Sequence, residues 1–307
     1  MLVGVVVRYV TNRKQYIMIK RSIGVVLITL LMGGCIIETS SSSLERNKNI
    51  DKAVKSYISA GMVYLKQGDI GTANRKFKKA YELNPDNPET NNALALFYTV
   101  ENEGEQVEKY YKAAISERSN YSVARNNYAS FLFDQGRYAD ARDQLLVVVK
   151  DYDYAQRNKS LESLGYCYLN LDDSANAERY FMRALQRNAR MGRSVLELAE
   201  INFNDGRYKR AERYLESFDR LSAPNPRHLW LAVRLQRILK NKHKLASFAL
   251  ALKNIFPESS EYKAYVASLP KSKATETELT EVELTRAEPI KATPVNVKQS
   301  TQQLPKL

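Results

Sequence analysis

"VKSYISAGMVYLKQGDIGTANRKFKKAYELNPDN", Val54 to Asn87, decides the fold of this 307-residue chain. Tyr57, Ala60, Gly61 and Tyr64 recur at three- and four-residue intervals, the stripe of one helix face. Gly68 and Asp69 supply a turn. Ala73, Phe77 and Ala80 then repeat the helical interval, and Pro85 stops the second helix. The small residues Gly61, Ala73 and Ala80 let helices approach closely, and aromatic side chains fill the gaps between them.

The same pattern returns downstream. From Pro88 the matching places hold Leu94, Ala95, Tyr98, Val107, Tyr111 and Ala114. A third copy carries Tyr128, Ala129, Leu132, Gly136, Ala141 and Leu145, with two extra residues near Tyr152. A fourth has Leu161, Leu164, Gly165, Tyr168, Ala177, Phe181 and Ala184, and a fifth Leu198, Ala199, Gly206, Ala211, Leu215 and Phe218. A weaker sixth, with Leu229, Ala232 and Leu252, closes at Pro257. Two helices in 34 residues is the pattern of the tetratricopeptide unit. Such a unit cannot bury its apolar face alone and does so by stacking. The expected fold is all-α: a right-handed superhelical solenoid of six tetratricopeptide repeats over residues 50–269, with a concave inner surface. Few glycines and prolines (12 and 9) agree with helices.

Ahead of the repeats, "MIKRSIGVVLITLLMGGC" runs from Met18 to Cys35. Lys20 and Arg21 precede an apolar core of ten residues, Ile23 to Met32. A membrane-spanning helix needs about 20, so the run reads as an export signal. Gly33 and Gly34 before Cys35 resemble the bacterial lipobox, in which the cysteine becomes the acylated first residue. Met32 stands where that motif usually has leucine. Residues 1–34 are therefore expected to be a lipoprotein signal, with Met18 a plausible true start, and 35–49 a Ser-rich tether. Residues 270–307, rich in Thr, Lys and Glu without an aromatic residue, are expected to be a disordered tail. Residues 1–34 hold five basic and no acidic side chains, so the formal charge of +13 falls to +8 without them. These charges are scattered and mixed in sign, which argues against a nucleic-acid partner.

Catalytic signatures are missing. His228 and His243 lie in no H-E-x-x-H, and both are expected at the surface. No G-x-S-x-G or P-loop occurs, so no enzyme, cofactor or metal is expected. Cys167 sits between Tyr166 and Tyr168 and is expected to be a packed thiol. What remains is a surface for binding. In tetratricopeptide arrays the first helix of each repeat lines the inner groove. Its front half would offer Ile58, Met62, Leu65, Asn92, Leu96, Asn126, Asn127, Ser130 and Phe133. Asparagine can bond an extended peptide backbone as donor and acceptor. The back half would offer Arg193, Leu196, Phe203, Arg227, Trp230, Arg234 and Arg237, a basic surface around the sole tryptophan, a residue type favoured at hot spots.

A lipobox followed by six such repeats resembles the type IV pilus biogenesis and stability protein family PilW, also called PilF. "LELAEINFNDGRYKRAERYLESF" and "LWLAVRLQRILKNKHKLASFALALKNIFPESSEY" carry the resemblance, which covers about residues 30 to 266. It implies a pilotin: a lipoprotein on the periplasmic face of the outer membrane, anchored through Cys35. Such a protein would help a PilQ-like pilus secretin reach that membrane and multimerise. Ile36 is compatible with export there, since aspartate at that place would favour inner-membrane retention. An adaptor for an envelope protease or peptidoglycan enzyme, or an outer-membrane protein assembly factor, would share the anchor and the groove.

Overall fold

A computed structural model describes residues 38–269, with side chains from residue 45. Thirteen helices and no strand occur among the described residues. They are α1 (Glu38–Lys66), α2 (Ile70–Leu83), α3 (Pro88–Val100), α4 (Gly104–Glu117), α5 (Ser122–Asp134), α6 (Tyr138–Val148) and α7 (Arg157–Asn170). There follow α8 (Ser174–Arg187), α9 (Gly192–Asn204), α10 (Tyr208–Leu221), α11 (Pro226–Ile238), α12 (Lys242–Ile255) and α13 (Ser260–Ala267). Odd-numbered helices to α11 open the repeats and even-numbered ones close them. The chain divides within α3 into two compact units, one ending at Phe97 and the other starting at Tyr98.

The turn inside each repeat fixes the period. Gly68, Asn102, Gly136, Asp172, Gly206 and Lys240 all have positive φ, at separations of 34, 34, 36, 34 and 34 residues. In each case the next residue's N–H reaches back five residues to a helix carbonyl, as in Asp69 to Tyr64 at 3.0 Å and Asn241 to Gln236 at 3.1 Å. That six-to-one bond, made possible by the left-handed residue, ends the helix while satisfying its last carbonyls. Three of the six sites have no glycine. Asn102 and Asp172 tolerate this backbone, but Lys240 sits there at φ 57 with no such side-chain help. The next helix is then capped where the sequence permits: Asp69, Asp173 and Asn241 accept backbone N–H groups at 2.9, 3.0 and 3.1 Å.

Within a repeat, two positions trade volume. Gly61 faces Phe77 and Gly165 faces Phe181. The matching positions in the later repeats are Ala129 and Leu145, Ala199 and Leu215, and Val233 and Ala249, all buried. The position large in the second helix is small in the first, and the sixth repeat reverses the order. A second buried rank, Ala80, Ala114, Val148, Ala184, Phe218 and Leu252, lies one turn further along each second helix. Cys167 is fully buried as expected, and burial pushes its thiol up to about 12, so it packs as a small apolar group.

Three local features differ from the sequence reading. Within the expected Ser-rich tether, residues 38–49 are helical, because no glycine or proline interrupts the run before Gly61. The first fully buried side chain comes only at Val54, so the packed core starts where the repeat does. The array also has a thirteenth helix beyond Pro257. Ser259 caps it by accepting from Tyr262 N–H at 3.1 Å. His228, expected at the surface, is 1% exposed and stacks on Phe218 with ring centroids 4.7 Å apart. It occupies the first turn of α11 against the bulky Phe218 of the preceding helix, and its Nε2 lies 2.9 Å from Asp219 Oδ1. Neither ring nitrogen has a hydrogen bond of good geometry. His243 is exposed as expected. The two-residue insertion falls between α6 and α7, where Arg157 pins it: its Nε donates to Val149 O at 2.7 Å and its guanidinium covers the Tyr152 ring at 4.0 Å. The expected signal segment (1–34), Cys35 and the expected tail (270–307) lie outside the described residues.

A Cβ added at Gly165 would stand 2.7–2.8 Å from three Phe181 ring atoms. Gly165→Ala should therefore cost about 1–3 kcal/mol, the usual penalty of overpacking a filled site. Thermal and urea unfolding check this, with Gly71→Ala on α2, where an added Cβ meets nothing nearer than 3.7 Å, as the comparison.

Candidate partner-binding face

In the amino-terminal unit, Ile58, Met62 and Leu65 share one flank of α1, and Leu96 stands on α3. All four are half-buried, so each keeps apolar surface available to water. Val63, on the same helix, is 52% exposed. Asn92 is different. It is 7% exposed and engaged within the fold, as is its neighbour Asn91, whose Nδ2 donates to Pro85 O at 2.9 Å. The expectation that Asn92 offers its amide to a peptide backbone is corrected accordingly. Close packing at the start of α3 draws the polar side chains inward to bind the loop before it.

In the carboxy-terminal unit the first helices are tied to one another by a polar seam. Asn126 on α5 accepts from Ser160 Oγ on α7 at 2.7 Å. Glu162 on α7 accepts from Ser194 Oγ on α9 at 2.7 Å. Glu197 on α9 takes a two-pronged bond from Arg227 on α11, at 2.6 and 2.7 Å. Arg234 lies 3.4 Å from both carboxylate oxygens of Glu200. The guanidinium of Arg227 is held above its ordinary range, first by the Glu197 hydrogen bonds, which outweigh burial. So the back half is not a free basic surface. Its arginines answer glutamates that the preceding repeat supplies at the sixth and ninth positions of its first helix.

Aromatic groups flank this seam. Arg193 covers Tyr166 at 5.0 Å, and Arg234 covers Phe203 at 4.7 Å and Trp230 at 5.8 Å. The half-buried Trp230 meets Tyr265 of α13 edge-on at 6.4 Å. Arg237 stands over both rings and donates to Ser268 Oγ at 2.8 Å. Helix α13 thus rests on the tryptophan that a partner was expected to use. Leu196 and Asn127 are buried, at 6% and 9% exposure. Phe133 and Ser130 stay half-buried, with Phe133 edge-on to Tyr138 at 4.9 Å. Glu162, Tyr166, Glu197 and Glu200 belong to this face and were missed. They occupy the same inward positions as the residues chosen, so the period alone could have found them.

The second helices carry a different device. Glu108 on α4 binds Arg137 beyond α5, and Glu178 on α8 binds Arg207 beyond α9 at 2.7 Å. Both contacts span 29 residues and join one repeat to the next. Tyr128 Oη also donates to Glu108 at 3.0 Å, and Lys112 Nζ stands 2.6 Å away. These partners, Lys112 first, hold the Glu108 carboxyl below its ordinary range against the opposing effect of burial.

Tetratricopeptide-repeat families match residues 54–87 and 163–226. The chain is 30% identical over 243 residues to the type IV pilus assembly protein PilF of Pseudomonas aeruginosa, covering 79% of this chain and 96% of that protein. The chain belongs to the PilF/PilW family. A solved structure of P. aeruginosa PilF agrees with a TM-score of 0.66 at 31% identity, over 72% of this chain and 100% of that one. PilW, a widely conserved type IV pilus biogenesis factor, agrees in fold with a TM-score of 0.59 at 20% identity, over 69% of this chain and 98% of that one. The PilF/PilW fold is thus an all-α repeat solenoid, and the resemblance read from the fifth and sixth repeats holds. Among the described residues no helix is long and apolar enough to cross a membrane, and no group of three or more His, Cys, Asp or Glu side chains converges as a metal site.

Glu108 gives the second-helix clasp a pH signature. Its folded pKa is depressed, so its stabilisation is present above the unfolded value, about 4.3, and is lost as pH falls through the folded one. Glu108→Gln should lower stability at neutral pH and flatten its fall below about pH 4. Urea midpoints measured across that range decide it.

Proposed function

We propose that this chain is a lipid-anchored scaffold of type IV pilus biogenesis on the periplasmic face of the outer membrane. Its first-helix face binds a PilQ-like pilus secretin and promotes the secretin's localisation and multimerisation. The observation that carries this reading is the similarity to P. aeruginosa PilF, a type IV pilus assembly protein, along nearly the whole of that relative. The physical support is the contrast between the two halves of the face. Ile58, Met62, Leu65 and Leu96 present apolar surface without internal ion pairs, whereas the Trp230 end is occupied by its own glutamates and by α13. Apolar surface left part-exposed on a repeat scaffold is the material of a binding hot spot.

The partner is therefore assigned to the amino-terminal unit, and its apolar side chains to Met62, Leu65 and Leu96. Losing a well-placed anchor commonly costs about 2 kcal/mol or more. Leu96→Glu should abolish co-purification of the secretin while leaving the helical circular dichroism and melting curve near those of the parent. Phe133→Glu and Trp230→Ala should retain binding. The reverse pattern would move the site to the carboxy-terminal unit.

Cys35 supplies the anchor in this reading. One acyl chain holds a protein only marginally, and two or more hold it stably. Cys35→Ser should leave the repeats folded and secretin contact intact in solution, yet remove the protein from the outer membrane and leave secretin rings missing or mislocalised. Palmitate labelling and fractionation test it. Normal outer-membrane residence of the serine variant would end the lipoprotein reading, and normal pilus assembly the pilotin one.

A further inference from the structure

Six arginines of the carboxy-terminal unit, Arg137, Arg142, Arg207, Arg210, Arg227 and Arg234, lie within ion-pair distance of a carboxylate. A second group, on α8, α10 and the turn after α8, does not. Arg179, Arg183 and Arg187 rise along α8, Arg190 stands in the turn that follows, and Arg213 and Arg220 lie on α10. Among the described residues none of the six has a carboxylate at ion-pair distance, and all but the half-buried Arg183 are exposed. The two helices are neighbours, since Arg210 of α10 reaches Glu178 of α8 at 3.7 Å.

This arrangement opposes folding slightly. Arg179, Arg183 and Arg187 are spaced four residues apart, so they share a helix face and repel one another. The Tyr180 ring spreads the first two, with guanidinium carbons 4.9 and 5.2 Å from its centroid. Tyr180 is itself fixed by a parallel stack on Tyr168 at 5.3 Å. A row of guanidinium groups, held apart and left without anions, is a surface prepared for anions from outside.

We propose that this arginine ridge docks on the headgroup phosphates of an anionic phospholipid surface. Guanidinium forks match phosphate oxygens in pairs, which lysine cannot do. From Arg179 to Arg187 the ridge runs about 12 Å along α8, at 1.5 Å per residue. That length spans more than one headgroup. The ridge lies on second helices, so it leaves the first-helix face open to a protein partner. An acyl chain with a polybasic patch makes two membrane signals, where one chain alone holds marginally. The nearness of a membrane rests on the Cys35 anchor proposed above. The affinity of the ridge for lipid does not, and a chain that cannot be acylated tests it separately.

The full chain with Cys35→Ser is sedimented with phosphatidylcholine vesicles, with and without phosphatidylglycerol. Any contribution of the apolar segment near Met18 is common to every arm. Each arginine near a charged surface is worth about fivefold in partitioning. The triple variant Arg179→Gln, Arg183→Gln, Arg187→Gln should therefore lose on the order of 100-fold of the binding to anionic vesicles. Arg213→Gln with Arg220→Gln should lose roughly 25-fold. A variant with the same charge loss on α1, at the exposed Lys48, Lys52 and Lys55, should lose far less. Salt should weaken only the anionic arm. Equal binding of parent and ridge variants overturns the proposal, as does an equal loss in the α1 variant, which would leave net charge as the cause. Ridge-dependent binding of soluble polyglutamate or inorganic phosphate, without a preference for anionic vesicles, also overturns it, in favour of an acidic polypeptide or a free anion. Melting curves of all variants keep an unfolded protein from passing as a loss of binding.

Discussion

Two helices can pack only as closely as their thickest facing side chains allow, and every repeat of this chain turns on that limit. Where the second helix presents a phenyl ring, the first presents bare backbone: Gly61 under Phe77, Gly165 under Phe181. Where the second helix presents leucine, the first can carry the methyl of Ala129 or Ala199. The sum of the two side chains is held near constant while their shares vary. This is how protein interiors behave when they are filled to crystal-like density. The helix pair, the left-handed turn that joins it and the aromatic rank behind it all follow from keeping that sum.

Stacking one repeat on the next needs a second kind of constraint, because apolar surfaces alone slide. Two polar systems supply it on different sides of the carboxy-terminal unit. Across first helices the ties are Asn126–Ser160, Glu162–Ser194 and Glu197–Arg227. Across second helices and turns they are Glu108–Arg137 and Glu178–Arg207. Directional bonds of this kind set the register of neighbouring repeats more sharply than they raise stability, since half-exposed ion pairs contribute little. The third repeat breaks the series. Its second helix has Arg142 where Glu108 and Glu178 stand, and Arg142 pairs with Asp143 beside it. The insertion that follows is fastened by Arg157 instead.

The helices and their pairing were legible because the 34-residue period repeats the same small and large residues until chance is excluded. The turns were legible where glycine marks them, at Gly68, Gly136 and Gly206. Asn102, Asp172 and Lys240 adopt the same backbone without advertising it. The face was legible in position and not in chemistry. Counting along a helix finds Arg227 and Asn126, but it cannot say that Glu197 and Ser160 already hold them, because those partners come from another repeat. His228 was misread for the same reason: a polar residue type is a poor guide once Phe218 roofs it over. The short α13 was passed over because eight residues carry too little periodicity to stand out beyond the sixth repeat. Its cap at Ser259 and the spacing of Tyr262, Tyr265 and Val266 were the available signals.

The contact of Trp230 with Tyr265 has an optical consequence. The chain has one tryptophan, so its long-wavelength fluorescence comes from a single indole. That indole lies under α13 with Arg234 and Arg237 against it. The emission is therefore a local gauge of whether α13 is seated. In a stack whose repeats touch only their neighbours, fraying at α13 and loss of the whole helical array are separate events. The indole would register the first, and circular dichroism the second.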